Sequence, residues 1–305
     1  MVTYHLCLSE EKEVLFRSEE DFVRGINCLC LASYNTKSSL LAYAFMSNHI
    51  HICVRTEDYK KLTRQFRYSY TRYFNAKYNR RGRLGSEGFY VQKIEGLHHL
   101  LTAISYVLRN PMHHGITSTP FGYKFSSIRS LFKNELGWNS SEELLKMHEY
   151  KYIPWHRSLP DCLKMNNEGM ILPESAIDVA DLEHQFSTAR TFLYYMNRLS
   201  GEKWEQEQIQ DGTGKSPITL EMIEQGNTYQ DIRTMLSNEH GRSNYKTISD
   251  LDLCKEIDSK MVIDLGKISV YDLTEREKEL IKKRLAKTHI ISEKQLNRCL
   301  IIKAN

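Results

Sequence analysis

The stretch from Asn48 to Val54 constrains the fold more than any other part of this 305-residue sequence. Polar and apolar residues alternate along it, which is typical of a β-strand, since a strand directs alternate side chains to opposite faces. One face carries Ile50, Ile52 and Val54, and the other carries His49, His51 and Cys53. Two imidazoles on one strand face can bind a single metal ion, although a pair of half-exposed structural histidines produces the same pattern.

The sequence around this strand predicts an α+β domain. Ser18 and the acids that follow it are predicted to begin the first helix, and Asn110 with Pro111 to end the third. In chain order we expect a strand at 3–8, a helix from 18, a hairpin of 40–45 and 49–54, a helix at 60–78, a strand at 88–94 and a helix at 97–109. This order predicts an antiparallel sheet with helices on one face.

The remainder of the chain has a different character. Residues 136–217 are predicted to be a connecting region with short helices, in which 181–199 is helical and 210–217 is a linker. Residues 218–305 are predicted to be a helical C-terminal domain. Two capping-box patterns, Thr274 with Glu277 and Ser292 with Gln295, each begin a helical pattern. The two helices form either a helix-turn-helix or an ordinary helical pair.

Composition favours a soluble protein in a reducing compartment. Hydrophobic residues make up 41% and charged residues 26% of the sequence, an ordinary globular balance. No apolar run is long enough to cross a bilayer, and the N-terminus carries no signal pattern, so we expect no membrane and a cytoplasmic location. The seven cysteines show no framework spacing, which indicates reduced thiols. Residues 1–150 carry 20 Lys+Arg against 14 Asp+Glu, so this half is the candidate for a polyanionic partner.

A long basic run separates Asp58 from Glu87, with no acidic residue between them. Its nine bases are Lys60, Lys61, Arg64, Arg67, Arg72, Lys77, Arg80, Arg81 and Arg83, and seven aromatic residues are interleaved with them. Bases neutralise phosphates, and exposed aromatic rings stack on unpaired nucleobases. The run predicts a nucleic-acid surface. The alternative is a solvated basic helix whose aromatic residues belong to the core.

The predicted third helix presents a tyrosine away from its apolar stripe. At about 100° per residue, Tyr106 lies nearly opposite the stripe formed by Leu97, Leu101, Ile104 and Leu108. Asn110 lies four residues later on the same face as Tyr106. The phenol is therefore either a nucleophile presented to a site or a merely amphipathic residue.

These features together resemble a known family. Met46-Ser47-Asn48 followed by His49-Ile50-His51 resembles the HUH motif with its usual lead-in. Tyr106 to Pro111, Tyr-Val-Leu-Arg-Asn-Pro, resembles the Tyr-Ile-x-x-Asn-Pro signature of the REP-associated tyrosine transposases, which are relatives of the single-tyrosine HUH transposases. The resemblance covers roughly residues 1–135 and consists of several short motifs in the family's order.

The resemblance implies a ferredoxin-like antiparallel sheet with helices, the HUH endonuclease fold. It also implies that His49, His51 and Asn110 hold Mg²⁺ or Mn²⁺, and that Tyr106 attacks a phosphate of single-stranded hairpin DNA. The product is a 5′-phosphotyrosine link and a free 3′-OH, which allows nicking and rejoining without ATP. It implies a nucleoid-associated protein that acts on hairpin DNA as a monomer or homodimer.

Two other interpretations remain open at the level of sequence. A domesticated descendant could grip a DNA hairpin without cutting it, although both histidines, the tyrosine and the asparagine are retained. An unrelated metal hydrolase could use His49 and His51, but it needs carboxylate ligands, and the neighbouring sequence offers only Glu57 and Asp58.

Overall fold

A computed structural model describes residues 1–85, 88–114, 116–117, 119–138, 144, 159–197, 248–288 and 291–302. The predicted linker at 210–217 and the start of the predicted C-terminal domain lie outside the described residues, and the predicted domain boundaries remain a prediction. No helix among the described residues is both long and apolar enough to span a membrane.

A four-stranded antiparallel sheet forms the centre of the fold. Its strands are β1 (Val2–Ser9), β2 (Ser39–Phe45), β3 (His49–Thr56) and β4 (Tyr90–Ile94). They are ordered β2-β3-β1-β4, so the first and third strands are central. This is the ferredoxin-like order, and the predicted α+β class with an antiparallel sheet and a helical C-terminal region is confirmed.

Two long helices connect strands and a third follows the last strand, but the three do not share one face of the sheet as predicted. They are α1 (Glu19–Asn35), α2 (Tyr59–Tyr78) and α3 (Leu97–His113). Helices α1 and α2 pack together, and Phe66 of α2 contacts Phe45, which lies on the face shared with Ile50. Helix α3 covers the opposite face because that face is also apolar at β2, where the small side chains of Ala42 and Ala44 allow close approach.

The helix boundaries follow from local chemistry. Ser18 caps the start of α1, as predicted. It also forms a reciprocal capping box with Asp21, which was not predicted. Helix α3 continues through Pro111 to His113, whereas the sequence predicted its end at Arg109. Proline lacks an N–H donor, yet in the last turn the helix closes through the bond from the His114 N–H to the Asn110 carbonyl.

Short helices follow α3 and extend the same core. They are the 3₁₀ turns Pro120–Gly122 and Ile128–Ser130, then α4 (Pro173–Ala176), α5 (Val179–Phe186) and α6 (Ala189–Asn197). The single helix predicted at 181–199 is instead two, because Ser187 adopts a left-handed φ of 65° between them. Helices α5 and α6 pack on α3, so α3 is buried on more than its sheet-facing side.

The described C-terminal residues, 248–288 and 291–302, form a helical unit with its own core. Helix α7 (Asp250–Glu256) continues through a π-helical turn (Ile257–Met261) and Val262–Asp264. A 3₁₀ turn (Val270–Asp272), α8 (Glu275–Thr288) and α9 (Glu293–Leu300) follow. The core of this C-terminal unit includes Val14, which comes from the loop between β1 and α1.

The predicted caps of the last two helices hold to different degrees. Thr274 and Glu277 form both bonds of the capping box at the start of α8. Ser292 accepts from the Gln295 N–H at the start of α9, but the Gln295 side chain donates to the Ile248 carbonyl instead of completing the box. Whether α8 and α9 act as a helix-turn-helix remains a prediction.

Candidate active site

The structure brings the predicted catalytic tyrosine, both histidines and the asparagine into one buried cluster between the sheet and α3. Strand β3 supplies His49 and His51, and α3 supplies Tyr106 and Asn110. Two further imidazoles join them, one from β1 and one from the end of α3: His5 and His114. All six side chains are buried.

The strand register explains why the histidines face α3. Directly opposed residues of an antiparallel pair share a face, and Cys7 of β1 lies opposite His51 while Ser9 lies opposite His49. His5 lies on the same face, two residues before Cys7. The predicted alternation along β3 is therefore correct, although both faces of the strand are covered.

The His49 imidazole is held at both of its nitrogens. Its Nε2 lies 2.9 Å from Oδ1 of Asn110, and its Nδ1 lies 2.9 Å from Oδ1 of Asn48. Burial lowers the pKa of His49 to about 4, opposed by the bond to Asn110, while Arg298 lowers it further and Asp250 raises it. A neutral imidazole has one N–H, so His49 donates to only one of these two oxygens.

At the other contact, a nitrogen lone pair and an amide oxygen face each other. Either the amide is reversed, so that its nitrogen donates to the ring, or a cation lies between the two acceptors. The Nδ2 atom of Asn110 is buried and has no hydrogen-bond partner among the described residues. Both solutions are chemically sound, and they differ in whether Asn110 acts as a ligand.

His51 is oriented by a second imidazole that the sequence did not assign to the site. Its Nδ1 lies 3.0 Å from Nε2 of His5, and the two rings are stacked with centroids 5.1 Å apart. Burial lowers the pKa of His5 to about 4, so the His5 ring is neutral at pH 7. A hydrogen bond at one nitrogen fixes the tautomer and directs the other nitrogen of a metal-binding histidine.

Tyr106 faces the imidazoles of the sheet. Its ring meets His51 edge-on, with centroids 5.2 Å apart, and meets His5 at 6.1 Å. The residue is only 6% exposed, so it is enclosed rather than displayed on a polar surface. Leu97, which the sequence assigned to the apolar stripe, is 52% exposed because it is the first residue of the helix.

His114 is a further site residue that the sequence analysis missed. Its ring packs edge-on against His49 at 4.8 Å. Burial, and then the neighbouring His49 and His113, hold the pKa of His114 well below its ordinary value. The available signal was its position four residues after Asn110, which repeats the spacing from Tyr106 to Asn110.

The donor set fits a divalent cation in part. No group of three or more His, Cys, Asp or Glu side chains in the described part of the chain could hold a metal ion, so a carboxylate cage is absent there. Neutral imidazoles are the protonation state that ligation requires. The 2.9 Å between His49 Nε2 and Asn110 Oδ1 is close to the separation of adjacent ligands in an octahedral site, about 3.0 Å for bonds of about 2.1 Å.

The predicted nucleic-acid bases fall into two groups. Arg67 donates to the carbonyls of Leu84 and Gly85. Lys77 forms ion pairs with acids of α1, and Arg80 forms an ion pair with an acid of the loop before α1. These three bases serve the fold. The remaining bases are exposed: Lys60, Lys61, Arg64, Arg72, Arg81 and Arg83.

A cavity of about 500 Å³ lies among part of this basic group, on the side of the sheet opposite Tyr106. Its lining includes Arg64, Arg72 and Arg83 together with the rings of Tyr68 and Phe89. The Arg72 guanidinium lies 5.6 Å from the centre of the Tyr68 ring, and Tyr68 is 60% exposed. An exposed ring between cations is suited to a base and its phosphate.

The chain is similar to a solved structure described as the REP associates tyrosine transposase bound to a REP hairpin. The two share 13% sequence identity over 45% of this chain and 79% of that chain, with a TM-score of 0.37. No protein-family model matches the sequence, and no curated protein matches it.

Proposed function

We propose that this protein is a metal-dependent endonuclease and strand transferase that acts on single-stranded hairpin DNA through Tyr106. The observation that carries the proposal is one buried cluster in which the Tyr106 ring contacts His51 and the His51 ring contacts His49. These groups are 55 to 57 residues apart in sequence. A purely structural role of the histidines would not explain why a tyrosine side chain lies among them.

The chain's own groups suit the proposed step. The phenol oxygen of Tyr106 attacks phosphorus, the bond from phosphorus to the 3′ oxygen breaks, and that oxygen leaves as a 3′-OH. The His5 imidazole beside the phenol is neutral and is not a proposed ligand, so it is a base that can accept the phenol proton and return a proton to the leaving 3′ oxygen. Mg²⁺ or Mn²⁺ held by His49, His51 and Asn110 would supply neutralisation of phosphate charge. Attack by the 3′-OH on the phosphotyrosine reverses the step and rejoins the strand.

The substrate proposal rests on the exposed bases of α2 and the loop after it. These bases and the exposed Tyr68 ring are suited to phosphates and unpaired bases. Because they lie across the sheet from Tyr106, a DNA molecule that contacts both must pass around a sheet edge. The 6% exposure of Tyr106 also requires the packing between α3 and the sheet to open locally before the phosphate can reach the phenol.

A second candidate is a protein that binds hairpin DNA without cutting it. The enclosure of Tyr106 and the mutual pairing of His49 with Asn110 and of His51 with His5 favour it. His49 Nε2 and Asn110 Oδ1, which would serve a cation, then form a structural hydrogen bond.

The two candidates differ in one assay. The full chain is incubated with a labelled DNA hairpin that carries single-stranded flanks, with Mn²⁺, and resolved on a denaturing gel. The proposal predicts a covalent protein–DNA band that His49→Ala abolishes, while the same variant still shifts the hairpin on a native gel. A native shift without any covalent band in the wild-type protein would favour the second candidate.

A further inference from the structure

The C-terminal unit, residues 248–288 and 291–302, contacts the turn that carries His49. The hydroxyl of Ser47 donates to Oδ2 of Asp250 at 2.7 Å. Asp250 begins α7, 203 residues away in sequence. Asn48 and His49 follow Ser47 directly, and the Asn48 side chain is hydrogen-bonded to the His49 ring. A short path therefore joins the C-terminal unit to a candidate metal ligand.

The turn is also bound on its other side. The Ser47 carbonyl accepts the N–H groups of Leu15 and Phe16 at 2.7 and 3.0 Å, and the Asn48 carbonyl accepts the Glu10 N–H at 2.9 Å. These bonds use the backbone of the turn. The bond to Asp250 uses the Ser47 side chain. The β1–α1 loop therefore binds the backbone of the turn, and the C-terminal unit binds a side chain of the turn.

Asp250 is itself fixed by a buried ion pair. The guanidinium of Arg298 on α9 donates to both carboxylate oxygens of Asp250 at 3.1 Å. The two side chains are 1% and 5% exposed. A buried ion pair is costly to desolvate and is poor evidence of added stability, but it does fix geometry. Asp250 also accepts the hydroxyl of Ser47, two residues before His49.

We propose that Asp250 is a positioning residue for His49, and that the C-terminal unit is part of the active-site scaffold. The inference rests on the proposed function for its catalytic meaning, but the geometry it claims is present in the metal-free chain. The path runs from Arg298 through Asp250 and Ser47 to the Asn48–His49 turn. Loss of the Ser47 hydroxyl should therefore free the turn and let the His49 ring depart from Asn110.

Other contacts between the same two parts of the chain provide a control. The Tyr271 hydroxyl donates to Oε2 of Glu13 at 2.9 Å, and neither residue touches the Asn48–His49 turn in the described contacts. Tyr271→Phe removes one hydroxyl from the same interface and keeps the ring. Ser47→Ala also removes one hydroxyl, and it leaves the buried Asp250–Arg298 pair intact, so the chain is expected to fold.

The test uses the full chain and two readouts. The first is the ¹⁵N NMR spectrum of the imidazoles in the metal-free protein. The inference predicts that Ser47→Ala and Asp250→Asn shift the ring-nitrogen resonances of His49 and leave those of His5 unchanged. Ser47→Thr keeps a hydroxyl, so its His49 resonances should stay at their wild-type positions. Tyr271→Phe should change the resonances of neither histidine. The second is the single-turnover rate of adduct formation, which should fall about tenfold or more in Ser47→Ala at unchanged hairpin Kd.

Unchanged His49 resonances in both Ser47→Ala and Asp250→Asn would overturn the inference. The same shift in Tyr271→Phe would also overturn it, because the effect would then belong to the interface as a whole. If the wild-type protein forms no adduct, the proposed function fails. The NMR result still decides whether Asp250 positions His49.

Discussion

Nε2 of His49 lies 2.9 Å from Oδ1 of Asn110. This contact joins the central strand β3 to helix α3, the two elements that supply the predicted metal ligands and the predicted nucleophile. It also orients Asn110 one helical turn beyond Tyr106. The chemistry proposed for the site depends on whether this pair of atoms shares a proton or a cation.

Replacing Asn110 distinguishes these two cases. Asn110→Asp retains the shape of the side chain and adds a charged oxygen, so Mn²⁺ should bind roughly tenfold more tightly than to wild type, while Asn110→Ala should bind it more weakly. Isothermal titration of the metal-free proteins with Mn²⁺ measures both changes. Equal affinity in all three proteins would show that Asn110 is not a ligand.

The buried neutral imidazoles predict a loss of stability in mild acid. The pKa values of His5 and His49 lie at about 4 in the folded chain, below the unfolded value of about 6.5, so between these values the unfolded state binds more protons. The contribution of these imidazoles to the free energy of unfolding should be fully present above pH 6.5 and should be lost as the pH falls towards 4. The expected loss is roughly 2 kcal/mol for each imidazole between pH 7 and pH 5.

Urea unfolding in EDTA at several pH values measures this dependence. His5→Asn removes one of these buried imidazoles, so the stability of the variant should fall less steeply over the same range. A wild-type stability that does not change between pH 7 and pH 5 would contradict the burial of neutral histidines at the site.

The exposed bases of α2 and its following loop should carry the salt dependence of DNA binding. Neutralising Arg64, Arg72 and Arg83 to glutamine should weaken hairpin binding and lower the slope of log Kd against log salt by about 0.7 for each lost contact with a single strand. Lys164→Gln, an exposed base of the connecting region, is the matched control. An unchanged slope in the triple variant would place the DNA elsewhere.

Arg17 should be essential for attachment of the C-terminal unit. Its side chain is fully buried, pairs with both oxygens of Asp258 and donates to the Cys299 carbonyl. Arg17→Met should destabilise the chain by roughly 3 kcal/mol, because it leaves Asp258 and that carbonyl without their partner. In Arg17→Met with Asp258→Leu, part of that loss should be regained. Urea midpoints test this, and additive losses in the two substitutions would argue against the pairing.

Local patterns in the sequence predicted much of the sheet and the positions of the four proposed site residues. Alternation along β3 assigned the faces of His49 and His51 correctly, because side-chain direction in a strand has a period of two. Helical spacing placed Tyr106 and Asn110 together. The end of α3 and the break at Ser187 were missed because a proline in a last turn and a single left-handed residue leave little trace in periodicity.

The contacts made over long distances could not be predicted in this way. His5 reaches His51 through strand pairing, and Asp250 reaches Ser47 across 203 residues. Nothing in the sequence near Ser47 indicates an acidic partner. Burial of Tyr106 was also missed, because Tyr106 packs against the sheet face that carries His5 and His51, a long-range contact that helical periodicity does not reveal.

The most direct test of the account is the location of the DNA on the trapped protein. Trypsin cleavage after Lys93 and Arg109 yields a peptide, residues 94–109, whose single tyrosine is Tyr106. Mass spectrometry of the adduct formed with hairpin DNA and Mn²⁺ should place the nucleotide on this peptide, and Tyr106→Phe should bind the hairpin but form no adduct. A nucleotide on any other peptide, or an adduct formed by Tyr106→Phe, would contradict the assignment of Tyr106 as the nucleophile.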